Sequence, residues 1–177
     1  CDFGQKALPF ELKSTENKII SLDDIKGENG TLIMFICNHC PYVKVVTREI
    51  LEDCNELKKI GINSVAICSN DFVNYPEDSF DNMIKFSNVN QFSFPYLHDE
   101  TQEVAKSYDA VCTPDFFGYN KNLELQYRGR LRELKNFIPV KDGESDLLKA
   151  MKQIVETGNG PQDQIPSAGC GIKWKYD

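Results

Sequence analysis

One stretch of the sequence, TLIMFICNHCPYVKVV at 31–46, constrains the fold more than any other feature. Its apolar start, 31–36, predicts a strand that is buried on both faces. Pro41 favours the first position of a helix, because the N–H that proline lacks would be unpaired there anyway. The pattern therefore predicts that Cys40 lies at or beside the helix N-cap. At that place free N–H groups and the helix dipole favour a thiolate, which is the nucleophilic form of cysteine.

The residues after Pro41 predict a helix that continues to Gly61, followed by a strand at 62–68. Apolar residues recur there at spacings of three and four, and glycine is a typical residue just after a helix end. Strand, helix and strand within 38 residues predict a parallel βαβ unit. A C-x-x-C motif at the start of such a unit is typical of a thioredoxin-like redox site. The apolar positions of the helix are Val43, Val46, Ile50, Cys54 and Leu57.

The rest of the chain predicts short elements within a single domain, 1–177, in which 158–177 is a Gly/Pro-rich C-terminal tail. Gly and Pro at positions between periodic segments mark the turns. Pro114 is expected at a strand start or edge, because proline cannot donate to a central ladder. The predicted elements are a strand hairpin at 7–20, a cap at Ser21, a helix from Pro76, a strand at 92–97, a helix at 99–108, a hairpin turning at 120–122 and a helix at 142–157.

Charge and cysteine content exclude several classes of function. The formal net charge is −7, which argues against nucleic acid as a partner, and no apolar run has the length of a membrane span. The seven cysteines do not form the pattern of a secreted disulfide framework. Cys54 and Cys68 fall on apolar faces and are interpreted as core thiols. We expect a cytoplasmic location, with an exported or periplasmic one if a leader was removed before Cys1.

Several longer stretches resemble the peroxiredoxin-like (redoxin, or alkyl hydroperoxide reductase/thiol-specific antioxidant) branch of the thioredoxin-like superfamily. The resemblance implies an α/β fold with a mixed central sheet flanked by helices and an N-terminal β-hairpin extension. It also implies that Cys40, five residues after Phe35, holds the attacking position, while Val43 stands where thioredoxins have their second cysteine. The stretches that carry the resemblance are MFICNHCPYVK, SNDFVNYPEDSFDNM, FPYLHDETQEVAKSYDAVCTPDFF, YRGR and PSAGCGIKWK.

The sequence departs from the peroxiredoxin pattern P-x-x-x-(T/S)-x-x-C at two positions. Ile33 stands in place of the proline and Cys37 in place of the threonine or serine. The arginine that peroxiredoxins place over the peroxide would fall near Thr113, and Arg128 or Arg130 could replace it from a neighbouring strand. The resemblance also implies that Thr113-Pro114 is the cis-proline loop that faces the nucleophile.

The candidate site residues are therefore headed by Cys40 as nucleophile and Cys37 as its disulfide partner. A disulfide forms by attack of one thiolate on the oxidised sulfur of the other cysteine. His39 could tune the thiolate by its charge. Cys37, His39, Cys40 and Cys112 are too tightly spaced for a usual zinc site, so no metal is expected. The predicted thiol chemistry also implies no organic cofactor. The candidates for a redox or site-lining role are Cys112, Thr113, Pro114, Cys170, His39 and Arg128.

The sequence predicts a thiol-dependent oxidoreductase that reduces a peroxide or a disulfide. Oxidised Cys40 would be resolved by Cys37, or by Cys112 or Cys170, and an external dithiol reductant such as thioredoxin or glutathione would restore the thiols. A homodimer is left open. Two alternatives also stay open: a protein thiol-disulfide reductase or isomerase without peroxidase activity, and a non-catalytic redox-sensing module.

Overall fold

The structure is a computed structural model that describes residues 2–175. Seven strands form one mixed sheet in the order β2-β1-β5-β4-β3-β7-β8, and two further pairs, β10-β9 and β11-β6, lie outside it. The strands are β1 (Glu11–Ser14), β2 (Ile19–Ser21), β3 (Gly30–Phe35), β4 (Ile62–Cys68), β5 (Tyr96–His98), β6 (Cys112–Thr113), β7 (Asp115–Asn120), β8 (Leu125–Gly129), β9 (Leu134–Lys135), β10 (Ile138–Pro139) and β11 (Cys170–Gly171). The helices are α1 (Leu22–Ile25), α2 (Pro41–Lys44), α3 (Thr47–Lys59), α4 (Phe80–Val89), α5 (Glu103–Ser107) and α6 (Asp146–Thr157).

The strand directions confirm the predicted mixed sheet and βαβ unit. Central strand β3 runs parallel to β4 and antiparallel to β7, while β4 runs parallel to β5. All six residues of β3 are buried, as its continuous apolar run predicts. Because β3, β4 and β5 are parallel, their carboxyl ends meet at one edge of the sheet. The loops that begin at Ile36, Ser69 and Asp99 therefore lie at this edge.

Hydrophobic side chains fill both faces of the sheet, which confirms helices on both sides. On one face α3, α4 and α6 pack with Met34, Phe116 and the two cysteines Cys37 and Cys40. On the other face α1 and α5 pack with Phe35 and Phe117. Successive residues of a strand point to opposite faces, so Phe116 and Phe117 belong to different cores. The predicted N-terminal hairpin is present, since β1 and β2 pair antiparallel, and Ser21 caps α1.

The predicted single helix after Pro41 is broken between Lys44 and Thr47, which corrects the sequence analysis. The N–H of Val46 donates to the carbonyl of Val43 over 3.1 Å, a tighter turn than that of an α-helix. The Thr47 hydroxyl also donates to the Val43 carbonyl, at 2.8 Å, and such a bond bends helices. Since β-branched residues have restricted χ1 angles and a low helix propensity, the run of valines and threonine favours the break. The predicted buried positions are nevertheless correct.

Four other predicted boundaries are shifted, and in three of them a capping serine or a proline sets the start. Residues Pro76–Asp78 form a short 3-10 turn, and α4 begins only after Ser79, whose hydroxyl accepts from the N–H of Asn82. Strand β5 begins after Pro95, α5 begins at Glu103, and α6 begins after its cap Ser145. Glycines end α3 and α6 as predicted, since Gly61 and Gly158 have positive φ. In the described part of the chain no helix is long and apolar enough to cross a membrane.

The C-terminal tail is the largest difference from the predicted fold. The sequence analysis predicts no regular structure there, yet Cys170–Gly171 forms β11 and pairs antiparallel with β6. The tail thus runs beside Thr113, next to the strand that follows Pro114. This pairing brings Cys170 to the same edge of the sheet as Cys40. Cys1 lies outside the described residues.

Candidate active site

Cys40 lies at the N-cap of α2, directly before Pro41 at the first helical position. The residue is only 1% exposed. Four neighbouring donors favour its charged form and lower its pKa: the thiols of Cys37 and Cys170 and the backbone N–H groups of Val43 and Cys170. The N-cap position that Pro41 predicts is confirmed.

These donors lower the pKa of the Cys40 thiol to about 4, and the largest contribution comes from the contact with Cys37. Burial acts in the opposite direction, because it disfavours a charged group. The carbonyl of Thr113, 3.4 Å from the Cys40 sulfur, would accept from a protonated thiol and so also favours the neutral form. Because four donors oppose this single acceptor, the thiolate is the form that the site stabilises.

Cys37 and Cys170 flank Cys40 and remain protonated. The pKa of Cys37 is raised by the contact with Cys40, by burial and by the charge of Asp78. The Cys37 sulfur also lies 3.4 Å from the Thr113 hydroxyl. Burial and Cys40 raise the pKa of Cys170 to about 11. Both residues can therefore donate a hydrogen bond to the Cys40 thiolate, and each is in place to become its disulfide partner.

The peptide bond between Thr113 and Pro114 is cis, as the resemblance implies. Thr113 contacts both sulfurs of the C-x-x-C motif, with its carbonyl toward Cys40 and its hydroxyl toward Cys37. Cys112 lies next to it on β6, half-buried, and its thiol contacts the carbonyl of Pro114 at 3.5 Å. Burial raises the pKa of Cys112 to about 12. Cys112 thus lies near the site as a protonated thiol that donates a hydrogen bond within the cis-proline loop.

A buried carboxylate holds the loop between the two motif cysteines. Asp78 is fully buried and accepts from the N–H of Asn38 and the amide of Asn70, both at 2.8 Å. Tyr96 donates its hydroxyl to the Asn38 side chain at 2.7 Å. Hydrogen bonds to a charged group are among the stronger ones in proteins, so this network fixes the position of residues 37–40. Asp78 was expected only in the first turn of the helix from Pro76, and its one signal as a site residue was that it lies within the stretch SNDFVNYPEDSFDNM.

His39 faces this network rather than standing free in a loop. Its Nδ1 lies 2.7 Å from Oδ2 of Asp78, and its ring stacks on Tyr75. Ligand atoms of Cys37, His39 and Asp78 lie within 4.8 Å of one another, which is a spacing that a metal could use. The sequence analysis considered a different set, with Cys40 and Cys112 in place of Asp78. Because both Asp78 oxygens already accept from amides, the arrangement fits an anchor for the loop.

Arg128 does not take the position of a peroxide-binding arginine. Its guanidinium pairs with Asp115 at 2.9 Å and donates to the carbonyl of Asp109. It also lies over the ring of Phe117 at 4.6 Å. Phe117 belongs to the core on the face of the sheet opposite to Cys40. The alternative, Arg130, pairs with Asp146 at 2.6 Å.

A thiolate at a helix start, beside a cis-proline at the edge of this sheet, defines a thiol oxidoreductase of thioredoxin-like fold. Residues 3–134 match the AhpC/TSA family, and the chain belongs to that family. A search of curated proteins found no match.

Solved structures share this fold. An uncharacterized conserved protein from Geobacillus kaustophilus is 44% identical with a TM-score of 0.92, over 99% of this chain and 94% of that one. A hypothetical protein from Sinorhizobium meliloti is 30% identical with a TM-score of 0.91, over 100% of this chain and 97% of that one. The thioredoxin domain of a thiol-disulfide oxidoreductase from Bacteroides vulgatus is 17% identical with a TM-score of 0.61, over 72% and 88% of the two chains. The last match concerns the fold alone.

Proposed function

We propose that this protein is a thiol-dependent oxidoreductase in which the Cys40 thiolate attacks an electrophilic sulfur or oxygen of its substrate. The observation that carries the proposal is the position of Cys40 at the helix N-cap directly before Pro41, where Cys37 and Cys40 both lie 3.4 Å from atoms of Thr113 beside the cis-proline. The same donors that favour the thiolate also supply the second thiol that a two-electron reduction needs. No cationic side chain is required for this chemistry.

With a disulfide substrate, the Cys40 thiolate attacks one sulfur and the substrate S–S bond breaks. The first half of the substrate leaves as a thiolate, and the second stays bound to Cys40 as a mixed disulfide. Cys37 then gives up its proton to the leaving thiolate and attacks the Cys40 sulfur, which releases the second half. The second half leaves as a thiolate and takes a proton from water, so the products are two substrate thiols and an internal disulfide. An external dithiol such as thioredoxin or glutathione reduces this disulfide again.

Peroxide is a second candidate substrate, supported by membership of the AhpC/TSA family. The Cys40 thiolate would attack one oxygen, the O–O bond would break, and an alcohol or water would leave after protonation. The sulfenic acid at Cys40 would then condense with Cys37 and release water. The disulfide substrate fits the geometry better, because Arg128 and Arg130, the two candidates for binding a peroxide, both pair with carboxylates.

Stopped-flow kinetics on the fully reduced protein tests this proposal. The protein is mixed with one equivalent of hydrogen peroxide or of a small aromatic disulfide, and every cysteine is then mapped by mass spectrometry. We expect rapid loss of the Cys40 thiol and a Cys37–Cys40 bridge, faster with the disulfide. Cys40→Ser is expected to abolish both reactions, whereas Cys54→Ser, in a buried thiol of α3, leaves them in place. Equal rates for Cys40→Ser and the unmodified protein would overturn the proposal.

A further inference from the structure

The tail segment 165–175, here called the strap, crosses the active site and is fixed on both sides of Cys170. Before the cysteine, the carbonyl of Ile165 accepts from the N–H of Arg130 at 2.7 Å, and the Ser167 hydroxyl donates to the carbonyl of Pro114 at 2.7 Å. These contacts place the first half of the strap beside the cis-proline. The strap is thus attached to the loop that faces Cys40.

The far end of the strap is held by side chains from two neighbouring loops. The N–H of Lys173 donates to the Asn70 side chain at 3.0 Å, and its carbonyl accepts from the N–H of Asp71 at 2.7 Å. Gln102 donates to the carbonyl of Lys173 and accepts from the N–H of Lys175, both at 2.9 Å. Asn70 and Gln102 therefore act as a clamp on the strap, remote from the Cys40 sulfur.

Between these attachments the strap pairs as a strand, and its Ile172 side chain is buried in the core that contains Phe117. Cys170 and Gly171 pair antiparallel with Thr113 and Cys112. Among the described residues, β6 therefore has β11 as its partner strand. The Cys170 side chain packs against the core cluster that contains Cys40, and Cys170 contributes to the lowered pKa of Cys40. The strap thus presents an extended backbone with a cysteine opposite the nucleophile.

A groove continues from this edge along the first half of the strap. It has a volume of about 260 Å³ and combines apolar walls with two arginines. Its walls on the side of the folded domain are Tyr42, Val46, Pro114, Phe116, Leu131 and Leu134. The strap residues 165–168 form the remaining wall, so departure of the strap would open the groove toward Cys40.

We propose that the strap is a built-in competitor of the substrate. It occupies the strand edge Cys112–Thr113 with a cysteine placed as a substrate cysteine would be. The substrate is then an extended peptide segment of another protein that carries a cysteine in a disulfide. That segment displaces the strap, pairs with the same edge and sets side chains into the groove, as peptides do when they add a strand to an exposed edge. This rests on the proposed function of Cys40 and names its substrate class.

The redox step balances with the groups already described. The Cys40 thiolate attacks the peptide disulfide, whose other half leaves as a thiolate. Cys37 then attacks the Cys40 sulfur, transfers its proton to the departing peptide thiolate and leaves a Cys37–Cys40 disulfide. The two electrons that reduce the peptide come from the two protein thiols. An external dithiol restores them, and the strap returns to its edge.

Two neighbouring glycines of the strap offer a matched pair of variants. A Cβ on Gly169 would lie 2.4 Å from the carbonyl oxygen of Thr113, whereas a Cβ on Gly171 would meet nothing within 4 Å. Overpacking of this kind destabilises the bound arrangement. Gly169→Ala should therefore loosen the strap while Gly171→Ala leaves it in place. Gln102→Asn is a second way to loosen it, because asparagine tolerates the positive φ at 102 but is one methylene too short for both strap contacts.

The probe is the strap hexapeptide Ser-Ala-Gly-Cys-Gly-Ile, linked through its cysteine to thionitrobenzoate as a mixed disulfide. The control probe is the same disulfide of free cysteine, which has no extended backbone. Release of thionitrobenzoate from the reduced full-length protein is followed in stopped flow. We expect Gly169→Ala and Gln102→Asn to react with the peptide about tenfold faster than Gly171→Ala or the unmodified protein. In the loosened variants the peptide should also react about tenfold faster than the cysteine probe.

Equal rates for the two probes in the loosened variants would contradict binding of a peptide backbone at the strand edge, because the strap would then only shield Cys40. Equal rates of the peptide probe with Gly169→Ala, Gln102→Asn and Gly171→Ala would contradict competition between the strap and the substrate. Thermal melting of each variant shows whether it is folded. Undiminished release of thionitrobenzoate by Cys40→Ser would instead contradict the proposed function itself, so the two failures are distinguishable.

Discussion

Two buried thiols of the same core, Cys40 and Cys54, have opposite acid–base properties. Both are almost completely shielded from solvent, at 1% and 5% exposure. Burial raises the pKa of Cys54 to about 12, whereas the donors around Cys40 lower its pKa to about 4. The comparison shows that low solvent exposure alone does not decide the pKa of a thiol here, because the donors around Cys40 outweigh the effect of its burial.

The largest expected contrast between the two thiols is in the population of thiolate. At pH 7 a pKa of about 4 leaves Cys40 ionised, whereas a pKa of about 12 leaves roughly one Cys54 in 10⁵ ionised. Thiolate exists above its pKa, so the far-ultraviolet thiolate absorbance of the reduced protein should fall as the pH falls through about 4. Cys40→Ser should lose this transition and Cys54→Ser should keep it. Loss of the transition in both variants, or in neither, would contradict the comparison.

Asp78 acts on a cysteine of the active site and on a core cysteine, because its charge raises the pKa of both Cys37 and Cys68. Asp78→Asn replaces an acceptor with an amide whose NH₂ group faces other donors. We expect a loss of about 3 kcal/mol in the free energy of unfolding, since one hydrogen bond is lost where the NH₂ group faces a donor and the other is no longer made to a charge. Urea denaturation measures it. Asp142→Asn, at an exposed aspartate, should change the stability by less than about 0.5 kcal/mol.

Cys37 tests whether the contact between thiols is the main cause of the low pKa of Cys40. Cys37→Ala removes this donor, so the thiolate transition should move about one to two pH units higher, as expected for one hydrogen bond to a charge. Cys37→Ser keeps a hydroxyl donor at the same place and should leave most of the effect intact. The pH titration of thiolate absorbance reports both variants. Titrations of both variants that match that of the unmodified protein would assign the low pKa to the remaining donors, the Cys170 thiol and the backbone N–H groups.

The parts of the fold that local sequence encodes were predicted well. The apolar run of β3, the proline after Cys40 and the glycine after α3 each act on their immediate neighbours. The break before Thr47 was missed because the prediction used the spacing of apolar residues, which continues without interruption through the break. This spacing shows which residues are buried, and the break does not change them. The break itself follows from the restricted side chains of the β-branched residues, which affect the backbone.

The parts of the site that depend on distant pairs were predicted only in part. Cys170 was a candidate for the site, but its pairing with Thr113, 57 residues away, was not predicted, because its glycine-rich surroundings are locally typical of a flexible segment. Asp78 lies 40 residues from the Asn38 N–H that it accepts. Such contacts form only when the parallel strands bring their carboxyl ends to one edge. Periodicity and capping signals contain no information about which loops meet there.

Thr113 contacts both motif sulfurs through different groups, which makes its backbone a spectroscopic reporter. Its carbonyl faces Cys40 and its hydroxyl faces Cys37, and the peptide bond that it forms with Pro114 is a tertiary amide. Conversion of Cys40 from thiolate to disulfide removes a negative charge 3.4 Å from this carbonyl. An isotope label on the Thr113 carbonyl would therefore shift its infrared band with the redox state, and turnover could be followed inside the protein without a coloured substrate.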